Sequence, residues 1–250
     1  MSSTTIPKSG RREMRMLAPP SASRRLLDIG GALVALILLA PLWVAAAVLI
    51  LYDDGPPVFF RQSRVGQNGE PFLILKFRTM RRETVGRAIT VSGDHRVTRA
   101  GAWLRKRKLD ELPQLINVIR RDMSLIGPRP EVPEYVEPHD ELQRVVMQMR
   151  PGITDLASLM FRNEEELLAT VADPEAYYRS SILPVKLAWN IRYQESRSLL
   201  RDLKLLWLTA WYSFFPRTYD RERIPQIFGM GAGIRGGLDS EIENESTRHD

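Results

Sequence analysis

The feature that most limits this chain is an apolar run interrupted near its own middle. Residues Leu26–Tyr52 read LLDIGGALVALILLAPLWVAAAVLILY. As one straight helix the run would be roughly 40 Å long, ample for a bilayer core of about 30 Å. Hydropathy alone reads it as a tilted transmembrane helix, since it is too long for a signal-peptide core and no small-residue cleavage site follows it. Pro41 changes that reading. It has no N–H to donate, and its ring crowds the carbonyl four residues back, so a helix must kink there. The arms Leu26–Ala40 and Leu42–Tyr52 would reach only roughly 22 Å and 16 Å, each too short to cross alone. Both flanks are basic, with Lys8, Arg11, Arg12, Arg15, Arg24 and Arg25 before the run and Arg61, Arg64, Lys76, Arg78, Arg81 and Arg82 after it. The positive-inside rule therefore assigns no direction. A bent helix that enters one leaflet and returns satisfies both observations, and a kinked span is the alternative.

Beyond this run, 250 residues suffice for one sizeable domain. A formal net charge of +6 calls for an anionic partner: nucleic acid, an anionic membrane or a phosphorylated substrate. There is no cysteine, which excludes disulfides, thiolate nucleophiles and zinc–thiolate sites. The three histidines, His95, His139 and His249, form no metal motif. The basic residues are interspersed with acids and no recognised binding motif appears, so nucleic acid is not the expected partner.

Residues 1–23 read as a disordered basic arm. After the break at Asp53-Asp54-Gly55-Pro56-Pro57, Val58–Val65 and Pro71–Met80 read as two strands of a hairpin around Gly66-Gln67-Asn68-Gly69. Alternation in the second strand puts Lys76 and Arg78 on one face, either a solvated basic face or a wall for phosphate. Thr98 can cap a helix running to Lys108. A second helix carries Leu112, Leu115, Ile116 and Ile119 as a stripe, with Pro113 tolerated in its first turn. Met123–Ile126 is a short strand, and Gly127-Pro128-Arg129-Pro130 and Pro151-Gly152 are turns. Further helices are expected over Glu131–Met149, Glu164–Val171, Pro174–Tyr178 and Leu183–Arg192. Ser198–Phe215 is rich in aromatics, including Trp207, Trp211 and Tyr212. That composition suits either a membrane–water interface or a core helix. The tail 217–250 reads as disordered, and its formal G-x-G-x-x-G at Gly231–Gly236 lacks the strand and helix that would give it meaning.

Asp110 and Glu111 follow four basic residues, Arg105 to Lys108. One account makes Asp110 a helix N-cap and Glu111 a partner of the helix dipole. The other is chemical. A helix start attracts anions, Arg105 lies five residues upstream, and Arg129 stands between two prolines that fix its backbone. Guanidinium groups grip phosphate oxygens in a two-pronged manner. A carboxylate can attack phosphorus to form an acyl phosphate, given cations to offset the repulsion.

Taken together, Lys76-Phe77-Arg78-Thr79-Met80, Leu109-Asp110-Glu111-Leu112-Pro113-Gln114-Leu115 with Asn117-Val118, Asp122 through Pro130, and Arg150-Pro151-Gly152-Ile153-Thr154 resemble the bacterial sugar transferases, the monotopic polyprenyl-phosphate sugar-1-phosphate transferases. The resemblance runs from about Arg24 to Tyr219. It implies transfer of a sugar-1-phosphate from a nucleoside diphosphate sugar, a UDP-sugar by expectation, to undecaprenyl or another polyprenyl phosphate. Nucleoside monophosphate is released. It further implies Asp110 as nucleophile at a Mg²⁺ site, Glu111 as its partner, and a re-entrant helix that breaks at Pro41. Arg105 and Arg129 match the family's basic positions. Lys76, Arg78, Arg105, Arg129 and Arg162 are the candidate phosphate or lipid-head contacts, and Gln114, Asn117 and Asp122 the candidates for orienting the acids. The sequence departs from the family at Ala40, where a serine precedes the proline, and in the block Asp155–Asn163, which bears on sugar preference. With no multi-span segment or appended glycosyltransferase, it resembles the family's minimal form.

The expected architecture is α+β. A re-entrant helix over 24–52, kinked at Pro41, leads into a small β-hairpin and a mostly helical catalytic domain over 53–216 with interfacial amphipathic helices. The expected location is the cytoplasmic face of the bacterial inner membrane, in contact with its lipid, and a homodimer is compatible with these features. The rival expectation is a non-catalytic, basic, membrane-anchored scaffold, which explains the charge and the apolar run but not the Asp-Glu and Pro-Arg-Pro arrangement.

Overall fold

A computed structural model describes residues 22–81, 90–137 and 139–230. The basic arm up to residue 21, the Gly231–Gly236 motif and the end of the tail lie outside the described residues.

The apolar run forms two helices, α1 (Ala22–Leu38) and α2 (Ala40–Asp54), bent by 62° at Leu39. The bend has a local cause. The Leu39 and Trp43 amides reach back to the carbonyls of Ala35 and Leu39 at 2.9 and 3.0 Å, but Pro41 between them has no N–H to offer. It sits instead in the first turn of α2, where no intrahelical donor is needed. α2 stops at Gly55, whose φ of 67° with ψ of −170° is a combination essentially confined to glycine, and whose amide bonds the Leu51 carbonyl. Among the described residues no single helix is long and apolar enough to cross a membrane, whereas this bent pair passes the same test jointly.

Both ends of the helical hairpin are fastened to one domain. Asp28 on α1 accepts from the Ser124 hydroxyl at 2.6 Å and the Leu125 amide at 3.0 Å. Asp53 on α2 accepts from the Ala100 amide at 2.8 Å. Between these clasps, Ala32 of α1 packs with Ile74, Leu115, Val118 and Met123, and Ala46 and Ile50 of α2 pack with Phe77, Leu104 and Leu109. Gly31 lets α1 approach closely, since a Cβ there would lie 2.9 Å from a Leu125 methyl. The opposite faces, with Leu33, Val34, Ile37, Leu38, Val44 and Val48, are exposed.

The hairpin expected from the sequence is present. Strands β1 (Phe59–Val65) and β2 (Pro71–Phe77) pair antiparallel from Phe59↔Phe77 to Val65↔Pro71. Strand β2 stops three residues short of the expected Met80, because Arg78 turns away to cap α2. Helix α3 (Arg99–Lys106) begins at Thr98, whose hydroxyl accepts from the Gly101 amide at 2.9 Å, as its sequence predicts. A 3₁₀ turn at Leu109–Glu111 leads into α4 (Gln114–Ile119). Strands β3 (Ser124–Ile126) and β4 (Gly152–Thr154) pair in parallel. Their backbones touch where Gly127 meets Gly152, and a Cβ on Gly152 would fall 2.0 Å from the Gly127 nitrogen.

The main core lies under the C-terminal half: α5 (Glu141–Met147), α6 (Leu156–Met160), α7 (Glu164–Leu168), α8 (Pro174–Tyr177), α9 (Leu183–Glu195), α10 (Leu199–Phe214) and α11 (Arg223–Ile227). Two expectations differ from what is found. The single helix over Glu131–Met149 is a 3₁₀ turn at Pro133–Tyr135 followed by the shorter α5, which starts afresh at the Asp140 cap. Val132 is held extended ahead of Pro133, a restriction that proline imposes on the residue before it. Residues 217–230 are packed rather than disordered: Ile224, Phe228 and Met230 join the core, and the Tyr219 hydroxyl bonds the Met160 carbonyl at 2.6 Å. Composition hid this because the apolar anchors are few and spread among charges.

If the Asp28 clasp holds α1 to the domain, Asp28→Ala strands two donors and lowers stability by about 1–3 kcal/mol. Asp28→Asn, which keeps an acceptor oxygen, loses less. Chemical denaturation in detergent, followed by fluorescence, measures both.

Candidate active site

The two acids owe their positions to a backbone exception. Lys108 adopts a left-handed conformation (φ 56°), a rare one for a residue with a Cβ. It breaks α3 away from the next turn, so Asp110 and Glu111 lie inside the 3₁₀ turn, and neither caps α4 through its side chain. The capping account of the pair is therefore not the one the structure adopts.

Their environments then diverge. Glu111 is gripped by the Arg129 fork at 2.6 and 3.0 Å, and the Lys76 ammonium stands at 3.5 Å. Burial alone would raise its pKa, but Arg129 and Lys76 outweigh burial and hold it well below the usual carboxylate range. Glu111 in turn raises the Arg129 guanidinium against the effect of burial. Lys76 is the weaker partner: burial dominates its balance, and despite Glu111 its pKa falls to about 8. Asp110 is buried but has no salt bridge, and its Oδ1 finds no hydrogen-bond partner among the described residues. One turn on, the buried Gln114 amide nitrogen is likewise unpartnered. One carboxylate is thus neutralised and fixed, while the other keeps lone pairs available.

Arg129 is itself oriented from behind. Its amide donates to Asp155 at 3.1 Å, and Asp155 also caps α6 through the Ser158 amide at 2.7 Å. Arg64 of β1 reaches the Pro130 carbonyl at 3.2 Å, tying the hairpin to the Pro-Arg-Pro turn.

Glu111 opens onto a cleft lined by both apolar and charged side chains, with Asp110 beside it in the same turn. Ala35, Leu39 and Leu42 from the hairpin elbow, with Leu206, Ala210 and Phe214 of α10, form apolar walls. Lys108, Glu111, Arg129, Arg162 and Lys186 line the charged part. Such a cleft suits an amphiphile with an anionic head.

Of the residues singled out from sequence, Lys76 and Arg129 both contact Glu111, with Asp110 adjacent in the turn. Arg162 lines the cleft, donating to the Lys106 carbonyl at 3.1 Å. Arg105 is held by the Thr79 hydroxyl at 2.9 Å and Glu165 at 3.1 Å. The others are placed differently. Arg78 does not share a face with Lys76: it lies past the end of β2, bonded to the Asp54 and Gly55 carbonyls and to the Asp54 carboxylate at 3.2 Å. Asn117 staples α4 to β2 through the Leu73 carbonyl at 2.8 Å and the Leu75 amide at 3.0 Å. Asp122 receives the Asn117 amide at 3.0 Å. None of these contacts is to Asp110 or Glu111.

Sequence reasoning missed Lys186, which is buried, lines the cleft and donates to Glu164 at 2.9 Å. Its signal was periodic. Leu183, Lys186, Leu187 and Asn190 fall at i, i+3, i+4 and i+7 on the buried stripe of α9, where a lysine is out of place unless it has work to do.

The described residues include no group of three or more histidines or acids that could cage a metal. Asp110, with a free buried oxygen, fits Mg²⁺ in another way. That ion commonly takes one or two carboxylates and completes its shell with substrate phosphate oxygens and water.

A bent apolar hairpin clasped to a small α+β domain, with an ion-paired acid beside a free one at the head of an amphiphilic cleft, defines a protein built to handle phosphate on a lipid. Residues 20–216 match the family described as bacterial sugar transferase, and the chain belongs to that family. It is 34% identical over 205 residues to the exopolysaccharide production protein ExoY of Sinorhizobium fredii, covering 75% of this chain and 83% of that one. It is 38% identical over 201 residues to the UDP-glucose:undecaprenyl-phosphate glucose-1-phosphate transferase of Caulobacter vibrioides, covering 75% and 68%. A 44% identity over 142 residues links it to the UDP-N-acetylgalactosamine-undecaprenyl-phosphate N-acetylgalactosaminephosphotransferase of Aeromonas hydrophila, covering 55% of this chain and 34% of that one.

With a pKa of about 8, Lys76 carries its charge below that pH and loses it above. Turnover that depends on the Lys76–Glu111–Arg129 cluster should fall as pH rises through 8. Lys76→Arg should move that alkaline limb upward by more than one pH unit, which a pH–rate profile measures.

Proposed function

We propose that this enzyme transfers a sugar-1-phosphate from a UDP-sugar to undecaprenyl phosphate through a covalent intermediate on Asp110. The observation that carries the reading is the contrast between the two acids: Glu111 fully engaged at a cleft with apolar and cationic lining, and Asp110 next to it in the chain, buried with an oxygen unused. The enzyme is a polyprenyl-phosphate phosphoglycosyl transferase, in keeping with its family and with the named activities of the Caulobacter and Aeromonas relatives. Both of those names specify a uridine diphosphate donor, but with different sugars, so the nucleotide is the shared element.

The chemistry is two displacements at one phosphorus. An Asp110 oxygen attacks the sugar-bearing phosphorus, the P–O bond to UMP breaks, and UMP leaves with the electron pair. A phosphate oxygen of the lipid then attacks the same phosphorus, and Asp110 departs as a carboxylate. One phosphoanhydride replaces another, so the equilibrium lies near unity and the product must be consumed by a later reaction. Arg129 and Lys76 keep Glu111 anionic and fixed, while Arg162, Lys186 and Lys108 present positive charge to the diphosphate. When bound, Mg²⁺ held by Asp110 and the substrate phosphates supplies further neutralisation of that charge.

The hairpin acts as a re-entrant anchor on the cytoplasmic face of the inner membrane. Support comes from its two ends, Asp28 and Asp53, being clasped to the same domain while the elbow lines the acceptor end of the cleft. The activity initiates assembly of a surface polysaccharide.

The test is donor turnover without acceptor. Wild-type protein in detergent, given a panel of UDP-sugars, should release one equivalent of UMP with the correct donor and continue only when undecaprenyl phosphate is added. Asp110→Asn should release none and lose turnover by at least about 10³-fold. UMP appearing only when both substrates are present would replace the covalent route by direct transfer, and full cellular function of Asp110→Asn would favour a scaffold instead.

A further inference from the structure

Among the described residues, the side-chain hydroxyls on the lining of the cleft are those of Thr154, Ser158, Thr209 and Ser213. Two of them have their hydrogens in use. Ser158 donates to Asp155 at 2.6 Å, and Ser213 donates to the Thr209 carbonyl at 2.8 Å, the usual outlet for a hydroxyl inside a helix. The other two meet where β4 and α10 come together: Thr154 Oγ1 and Thr209 Oγ1 stand 2.8 Å apart, and either can be the donor. Two hydroxyls carry two hydrogens, and the bond between them uses one. Neither threonine side chain makes another hydrogen bond among the described residues, and Thr209 does not take the carbonyl four residues back as Ser213 does. One O–H donor is therefore left over on the cleft wall, whichever way the pair is oriented. Its surroundings are apolar: Ile153 precedes Thr154, and Leu206 and Ala210 neighbour Thr209 on α10, all three on the lining. It is also tied to the Pro-Arg-Pro turn. The Thr154 carbonyl accepts from the Gly127 amide at 3.1 Å, and the next residue, Asp155, accepts from the Arg129 amide at 3.1 Å. Water can take the leftover hydrogen while the cleft is empty. A lipid chain along this wall excludes that water, and the hydroxyl then needs an acceptor from the lipid itself.

We infer that the Thr154–Thr209 hydroxyl pair positions the lipid acceptor, donating its unused hydrogen to a phosphate oxygen of the polyprenyl phosphate. The inference rests on the proposed acceptor but not on the covalent route. A phosphate oxygen is the strongest acceptor such a lipid carries, and a hydrogen bond to a charged group is about twice as strong as a neutral one. The mutual bond between the threonines holds the donor in place, because whichever hydroxyl donates to the other fixes the rotor of its partner. Thr209 belongs to the helix whose apolar side chains line the cleft, and Thr154 to the strand bonded to the turn that carries Arg129. The pair thus couples the wall that meets the chain of the acceptor to the turn that meets its charge.

Separating donor from acceptor kinetics tests the pair. Thr154→Val combined with Thr209→Val removes both hydroxyls and keeps the branched shape. In detergent, the KM for undecaprenyl phosphate should rise about tenfold to hundredfold, the effect of losing one hydrogen bond to a charged group. The first equivalent of UMP, released without acceptor, should appear as in wild type. Serine at both positions keeps the hydroxyls and should recover most of the loss. Equal slowing of UMP release and of turnover would reduce the pair to a fastening between β4 and α10. An unchanged acceptor KM would remove it from the site, and a raised KM for the UDP-sugar alone would assign the hydrogen to the donor; each result overturns the inference. Binding of undecaprenyl phosphate against undecaprenol, read without donor by native mass spectrometry of the full chain, supplies the independent arm. Wild type should prefer the phosphate, and the valine pair should lose a comparable factor of that preference. If wild type gives no early UMP yet the preference falls in the valine pair, the covalent route fails and the pair stands. Normal early UMP with equal preference in both proteins sinks the pair alone. Should the valine pair fail to fold, Thr209→Val, at a half-buried helix position, leaves Thr154 without the partner that orients it. It should then raise the acceptor KM several-fold with early UMP intact, and no rise would count against the pair.

Discussion

The ion pair between Glu111 and Arg129 is the contact on which the site depends. It joins the turn after α3 to the Pro-Arg-Pro turn after β3, two segments with no sheet or helix in common. A buried ion pair is a poor stabiliser, because desolvating two charges consumes most of what their attraction returns. Its value here is positional. Asp155 fixes the Arg129 backbone, the flanking prolines fix its dihedrals, and the bidentate geometry fixes Glu111. With Glu111 so restrained, the neighbouring Asp110 is left in a tight turn with an oxygen that nothing else claims. Two adjacent carboxylates close enough to repel would ordinarily drive one to take a proton. The cations around Glu111 remove that pressure from it and hold it well below the usual carboxylate range.

The same logic of fastening governs the anchor. A helical hairpin of apolar residues has no intrinsic preference for one orientation on its domain. Carboxylates within and at the end of the apolar run supply it, Asp28 on the first arm and Asp53 on the second, each accepting hydrogen bonds from backbone or hydroxyl donors of the domain. Arg78 closes the second arm by binding the carbonyls that α2 leaves open at its C-terminus. The elbow is then held where Leu39 and Leu42 become cleft wall. A kink that proline makes unavoidable is thereby given a fixed direction.

What could be read from the sequence was whatever is local. The proline break, the β1–β2 hairpin, the Thr98 cap and the long aromatic α10 all rest on neighbours within a few residues, and all are present. The approach of Lys76, Glu111 and Arg129 was anticipated only through a motif pattern, not through any local rule. The contacts that escaped that reading are non-local in kind. Arg78 and Asn117 stand beside the motif, and the partners they find lie 23 to 44 positions away. Asp28 stands alone among apolar residues in the run, and its partners lie 96 and 97 positions away. The left-handed Lys108 carries no glycine or asparagine signature, so the turn that separates the acids from α4 left no trace in residue type.

The cleft itself argues for how the two substrates are kept apart. Its apolar walls come from the hairpin elbow and α10, and both continue outward as exposed apolar surface: Ile37 and Leu38 on one side, the stacked Trp207 and Trp211 on the other. α10 turns its Leu205, Leu208 and Tyr212 inward, so its aromatic stripe is surplus to the core and free to meet lipid. In the proposed reaction a lipid acceptor would pass between these walls until its phosphate reaches Arg129 and Lys186. The proposed water-soluble donor would meet the cationic lining instead, Arg162 and Lys108 among it. Both routes reach the phosphate chemistry at the acids. A residue that holds the sugar phosphate between two such visits removes the need for both substrates to be present at once, which is the role proposed for Asp110, buried beside Glu111 with an oxygen that nothing else claims.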